Sequence, residues 1–264
     1  MRALIGTARY GRKLTLLAAA ASPLATSLIV EPVRAETPAL EVIDSTSAPW
    51  PSVGRVNVAG FNTRSMCTGT LVAADLVLTA AHCLYNSRTL KPLPLRDLLF
   101  IAGVRRDSYA ERLEARCFVT LTNFAPSSTP SFGGLRHDAG LIVLKTRSTL
   151  PPVPPLSPAD EASLEKNAEL RSVGYRRSRR LLPSAATCEV LERKSGVWIT
   201  DCPSESGASG GPLLVETEDG FRVAGIMSAK LDGDRSVIVP YQRWQSLLEK
   251  ASCADLAPED DTRQ

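Results

Sequence analysis

After Ala35 the chain runs as short apolar stretches broken by turn residues, with hardly any long helical periodicity. Arg55-Val56-Asn57-Val58-Ala59 and Arg116-Cys117-Phe118-Val119-Thr120-Leu121 alternate, the period-2 signature of a strand. Gly140-Leu141-Ile142-Val143-Leu144 is continuous and apolar, which predicts a buried strand. Residues 170–175, 223–227 and 236–239 are further strand candidates. Glu189-Val190-Leu191-Glu192 and Val197-Trp198-Ile199-Thr200 flank Lys194-Ser195-Gly196, a pattern that predicts a hairpin. Many short strands at regular spacing predict an all-β sandwich or barrel.

One segment breaks this rhythm. Pro151-Pro152-Val153-Pro154-Pro155-Leu156-Ser157-Pro158 is not expected to join a ladder, because proline has no backbone donor. It divides the chain beyond Ala35 into halves of roughly a hundred residues. Residues 150–160 are therefore read as a linker between two β units, 36–149 and 161–240. Residues 241–252 carry Trp244, Leu247, Leu248 and Ala251 at helical spacing and predict a C-terminal helix, with 253–264 a polar tail. No internal repeat is visible.

Residues 1–35 read as a targeting segment. A basic stretch ending at Lys13 precedes an apolar run over 14–21, and Val33-Arg34-Ala35 predicts cleavage before Glu36. A retained anchor is the competing reading. Ser22, Pro23, Thr26 and Ser27 interrupt the run, and its strongest part is well short of the roughly 20 apolar residues that span a bilayer. The expectation is export to a secreted or periplasmic location, with no stable membrane span after cleavage. The formal charge of +3 is concentrated here. Without this segment's five basic residues and Glu31 it becomes −1, which argues against a nucleic-acid partner. In an oxidising compartment, six cysteines predict three disulfides.

Three segments carry chemistry. The first is Leu78-Thr79-Ala80-Ala81-His82-Cys83, with Cys67 upstream; a Cys67–Cys83 bridge would close a short loop and stabilise by about 3 kcal/mol. The second, His137-Asp138-Ala139-Gly140-Leu141, puts a carboxylate at the mouth of a buried strand. The third is Gly207-Ala208-Ser209-Gly210-Gly211-Pro212, whose small residues let the backbone fold tightly and aim amides at one point. Together they hold the parts of an acyl-transfer site. A serine needs an imidazole to take its proton. The imidazole needs a buried carboxylate to fix its tautomer. The oxyanion needs preorganised donors, worth about 3–4 kcal/mol each. His82, Asp138 and Ser209 suit the first three roles, and the N–H groups of Gly207 and Ser209 the last. No cofactor is called for, and a zinc site from Cys67, His82 and Cys83 lacks the usual ligand spacing. His137 reads as a surface or supporting residue, Asp232-Gly233-Asp234 as a turn, and Arg176-Arg177-Ser178-Arg179-Arg180 as a solvated loop in preference to an anion site.

On these residues the chain resembles the chymotrypsin/trypsin-like serine peptidases, in the order His, Asp, Ser, over roughly residues 45–252. The resemblance implies two six-stranded antiparallel Greek-key β-barrels with the site between them, and endopeptidase activity on protein or peptide substrates through an acyl-enzyme. It implies the Cys67–Cys83 bridge, and further pairs Cys188–Cys202 and Cys117–Cys253 among the 15 connectivities open to six cysteines. It points to Pro203, Ser204, Ser228, Ala229 and Lys230 as the substrate pocket. Lacking the Asp that selects Arg or Lys in trypsin, this pocket is expected to prefer Glu or a small apolar residue, although Met227 stands where bacterial glutamyl endopeptidases use a pocket His. Two departures matter. Ala208 replaces the Asp that pairs with a cleavage-generated amino terminus, and no Arg-Ile-Val-Gly-Gly precedes Cys67, as in a bacterial-type branch without that switch. The competing reading is a non-catalytic homologue that binds partners through the cleft; an esterase would share the same chemistry.

Overall fold

The computed structural model describes residues 38–58, 66–164, 168–232 and 234–253. The expected signal segment with its cleavage site, the tail beyond Cys253 and Gly233 of the expected turn lie outside them. Among the described residues no helix is long and apolar enough to cross a membrane.

The first β unit is a closed antiparallel barrel. Its strands are β2 (Val53–Val58), β3 (Met66–Ala73), β4 (Leu76–Thr79), β5 (Leu98–Ala102), β6 (Glu111–Thr120) and β7 (Gly140–Leu144), in the order β2-β3-β4-β7-β6-β5. Alternation in β6 turns Leu113 and Ala115 inward to Phe100, Leu71 and Ile142; a bulge between Ala115 and Cys117 then gives Phe118 to the same cluster, while the buried Cys117 pairs with Cys253. The apolar run of β7 is buried almost throughout, hydrogen-bonded between β4 and β6.

In the second unit, β8 (Glu169–Arg176), β9 (Arg179–Lys194), β10 (Val197–Thr200), β11 (Pro212–Thr217), β12 (Gly220–Lys230) and β13 (Ser236–Pro240) pair in the order β9-β10-β13-β12-β11-β8. β8 also pairs with β9, so the six strands form a closed circuit, and β1 (Glu41–Val42) adds to the outer edge of β9. The β9–β10 hairpin turns at Ser195 and Gly196, both in the left-handed region, the requirement of a two-residue connection compatible with strand twist. The fold is thus the all-β architecture of two antiparallel β units that the resemblance implies.

A single apolar cluster joins the two units: Val53, Leu78 and Leu141 from the first, Val173, Leu214 and Ile226 from the second, with Val153 from the linker. The linker departs from expectation, because it does take part in a ladder. Val153 N–H donates to Leu71 O (2.9 Å), Leu156 N–H to Val223 O (3.0 Å), and Val223 N–H to Pro154 O (2.9 Å). The prolines cannot donate, but Val153 and Leu156 between them can, and burial of both side chains stabilises the strap.

Two short helices escaped the pattern: α1 (Phe132–Leu135), capped by the Ser131 hydroxyl, and α2 (Pro158–Ser163), capped by Ser157. The expected C-terminal helix is α3 (Tyr241–Glu249), with Trp244 and Leu247 buried. Its first residue is preceded by Pro240, which supplies no cap; the Glu161 carboxylate of α2 accepts the Gln242 N–H instead (2.7 Å). The helix stops three residues before the expected end, where the chain bends to bring Cys253 to Cys117.

The disulfides are Cys67–Cys83, Cys117–Cys253 and Cys188–Cys202, with sequence separations of 16, 136 and 14. If loop closure of the unfolded chain dominates, removing Cys117 and Cys253 together costs about 5 kcal/mol, against about 3 kcal/mol for Cys188 and Cys202. Urea unfolding of the two paired alanine variants measures the difference. Equal losses would mean that native packing, not loop length, sets their value.

Candidate active site

β4 ends at Thr79, and the chain passes through extended Ala80 into a 3-10 turn, Ala81–Leu84, that carries His82 at the cleft. Two links to β3 fix this turn: the Cys67–Cys83 disulfide, and a hydrogen bond from Thr79 Oγ1 to Thr68 O (2.8 Å). Asp138 lies just before β7, its side chain buried in front of His82. Its Oδ2 accepts from His82 Nδ1 (2.7 Å) and from the Ser228 hydroxyl (2.6 Å), and its Oδ1 accepts the His82 backbone N–H (2.8 Å). Because Nδ1 donates to the carboxylate, the neutral ring carries its lone pair on Nε2.

The electrostatics follow from this geometry. Burial would raise the Asp138 carboxyl, but the His82 charge and the three hydrogen bonds hold it below its ordinary value. Burial also works against a charged His82, yet the charge and hydrogen bond of Asp138 prevail and lift it above 6.5. His137 differs: partial burial and the charges of Arg136 and Arg243 lower its pKa, and its Nε2 accepts from Arg136 Nε (3.0 Å). Among the described residues no hydrogen bond joins its side chain to the His82–Asp138 network.

Ser209 sits on a loop that only small residues can form. Gly207 has φ +99°, and a Cβ there would come within 2.8 Å of Met66 Cε and 2.9 Å of Tyr175 O. Gly210, at φ +78°, lies against Thr79 and Thr68, so a side chain would push the serine loop off the histidine turn. Thr68 joins the pieces, a role its place in the sequence did not signal. Its N–H donates to Ser209 O (2.8 Å), and its hydroxyl donates to Gly207 O (2.8 Å) while Thr68 Oγ1 accepts the Tyr175 N–H (2.9 Å). Ala208 N–H donates to Glu205 O, whereas the N–H groups of Gly207 and Ser209 have no backbone acceptor among the described residues. The Cys83 sulfur lies 3.7 Å from His82 Nε2 and 3.9 Å from Ser209 O, a packing contact that sets imidazole and serine loop side by side. Among the described residues no hydrogen bond joins Ser209 Oγ to His82. Cys67, His82 and Cys83 cluster closely, but both sulfurs are spent in the disulfide and offer no thiolate.

A cavity of about 630 Å³ opens beside His82 and Asp138, walled by Tyr85, Leu90, Phe124 and Leu135 with the polar segment 127–131. Of the residues expected to form the substrate pocket, Ser228 and Ala229 line it; Pro203, Ser204 and Lys230 do not. Ser228 commits its hydroxyl to Asp138, Pro203 its carbonyl to Arg176 Nη2 (3.2 Å), and the Lys230 side chain is exposed at the end of β12.

The family model described as Trypsin matches residues 43–249, a span that includes His82, Asp138 and Ser209. The chain belongs to the trypsin family. Comparison with curated proteins finds no match. Among solved structures, this trypsin-family chain is similar to a Glu endopeptidase solved with MPD (18% identity, TM-score 0.64, covering 83% of this chain and 99% of that one). It is similar also to the VesB protease of Vibrio cholerae (18% identity, TM-score 0.64, covering 82% and 68%). At such identity the likeness is one of fold, and membership of the family makes a peptidase the general expectation.

Proposed function

We propose that this chain is an exported serine endopeptidase in which Ser209 is the nucleophile, His82 the general base and Asp138 its orienting carboxylate. The supporting observation is the Asp138 carboxylate, buried and accepting three hydrogen bonds, two of them from His82. That arrangement aims a basic Nε2 toward the serine loop. His82 takes the Ser209 proton as Oγ attacks the scissile carbonyl, and the Gly207 and Ser209 N–H groups stabilise the oxyanion. The protonated imidazole then gives its proton to the leaving amine, and water hydrolyses the acyl-enzyme by the same steps in reverse roles. Ala208 leaves no carboxylate for a new amino terminus, so activity is independent of a cut at one bond. Export rests on segment 1–35 and the three disulfides.

No acidic side chain stands at Pro203 or Ser204, so cleavage after Arg or Lys is expected to be poor, with Glu or a small apolar residue preferred. Profiling on a mixed peptide library checks this; dominant cuts after Arg or Lys would show that Pro203 is not at the pocket floor.

One observation favours the alternative of a non-catalytic binding homologue: Ser209 and His82 are not hydrogen-bonded. Such bonds often close only when substrate docks, so labelling separates the two readings. A fluorophosphonate should label the mature protein and not the Ser209→Ala variant. Absence of labelling in the wild type would sink the enzymatic reading.

A further inference from the structure

The five-residue basic cluster reads in sequence as a solvated loop, but only Arg177 and Ser178 form a turn, Arg176 ending β8 and Arg179 and Arg180 beginning β9. Arg177, Ser178, Arg179 and Arg180 are exposed around the β8–β9 hairpin. Arg176, the last residue of β8, is 1% exposed. Its Nη1 donates to the Ser184 hydroxyl (2.7 Å) and carbonyl (3.1 Å) on β9, and its Nη2 donates to Pro203 O (3.2 Å). A buried cation is costly unless its surroundings are built for it. Desolvation lowers its pKa to about 10, which leaves it charged at neutral pH.

What it holds is the approach to the serine loop. Residues 203–206 belong to no strand, and their links to the rest of the second barrel converge on this hairpin end. Beside the Arg176–Pro203 bond, Arg177 N–H donates to Ser206 O (2.8 Å). The Ser178 N–H and hydroxyl each donate to a Glu205 carboxylate oxygen (2.7 Å both). Gly207 follows directly and packs against Tyr175 O and the Arg176 Cα. A shift of the 203–206 backbone would therefore be passed to the Gly207 N–H.

We propose that Arg176 is a positioning residue for the oxyanion donor at Gly207, an internal cation that holds loop 203–206 against β8 and β9 in a chain whose Ala208 cannot pair with a released amino terminus. The inference rests on the reading of Gly207 as an oxyanion donor. It is a role in catalysis for a residue that touches no substrate.

Two kinds of measurement test it. In Arg176→Met, kcat should fall by roughly 10²–10³-fold, the scale of losing one oxyanion donor, a larger factor than the rise in KM that release of Pro203 and Ser204 brings. The affinity of a peptide boronate, which needs that donor, should fall in step with kcat. Methylguanidinium added to Arg176→Ala should restore activity at least about tenfold, an effect that loss of packing alone would not give. Arg176→Lys keeps the charge, and should recover little, because one ammonium does not bridge Ser184 and Pro203 as the fork does; it also serves if the methionine variant fails to fold. Full activity in either variant overturns the proposal. Hydrogen exchange of the peptide 203–208 gives a readout independent of activity. Exchange there should quicken at least about tenfold in Arg176→Met or Arg176→Lys while strands of the first barrel are unchanged. If the wild type proves inactive, the enzymatic reading fails, and faster exchange would still support the clamp. Unchanged exchange in both variants overturns it.

Discussion

Replacing Ser209 with alanine should lower kcat on a peptide amide by about 10⁶-fold, and His82→Ala by a similar factor, with the double variant little worse than either. Nucleophile and base act as one unit. A serine hydroxyl without an imidazole is scarcely ionised, and an imidazole without the serine has no proton to move. The Cys83 sulfur contacts His82 Nε2 and the Ser209 backbone carbonyl, so the imidazole and the serine loop lie side by side. Both variants should fold, because each removes a side chain at the cleft and leaves intact the disulfide and the Thr68 bonds that fix the backbone. Turnover measured on protein checked by thermal unfolding tests the set. A double variant slower than the singles by the product of their losses would mean that the residues work separately.

Asp138→Asn carries the second large effect, a loss of about 10⁴-fold in kcat. An amide NH₂ facing Nδ1 would compete with the hydrogen bond that fixes the tautomer, and the negative charge that supports the imidazolium is gone. The pH profile distinguishes this from general damage. Asp138 raises the His82 pKa above 6.5, so the acid limb of kcat/KM in the wild type should lie above 6.5 and move down in Asp138→Asn. A limb that does not move would show that another group sets it. The same shifts act on stability with opposite signs. The depressed Asp138 contributes stability present above the ordinary carboxyl value of 3.8 and lost as pH falls through its folded value. The raised His82 contributes stability present below 6.5 and lost as pH rises through its folded value. Activity requires the neutral imidazole, so the working range begins where that second contribution is fading.

Residues whose chemistry is local were legible in the sequence. Cys67, His82, Ser209 and the glycines around them announce themselves because tight turns and close backbone approach admit few side chains. The alternation of β6 and the apolar run of β7 gave the strands, and Trp244 with Leu247 gave the last helix. What stayed hidden depends on partners distant in sequence. Ser228 reads as pocket lining, yet its hydroxyl meets Asp138, 90 residues away. Arg176 is indistinguishable from its exposed neighbours until β9 folds over it. The proline segment looked like a spacer because its two useful donors, Val153 and Leu156, are outnumbered by prolines. α1 and α2 are too short to show a period, and capping by Ser131 and Ser157 sets them up locally.

The Cys117–Cys253 bridge encloses a covalent ring that contains Asp138, Ser209 and the whole linker. The exposed stretch at residues 127–130 and the β8–β9 hairpin with its arginines lie inside that ring, where a neighbouring peptidase would cut first. A single nick at either place opens the ring but releases nothing. The two pieces remain joined through the bridge, and each is still inserted in the shared core around Leu141 and Val173. Such a chain can be clipped in a proteolytic environment and persist as one particle, its damage visible only once the bridge is reduced.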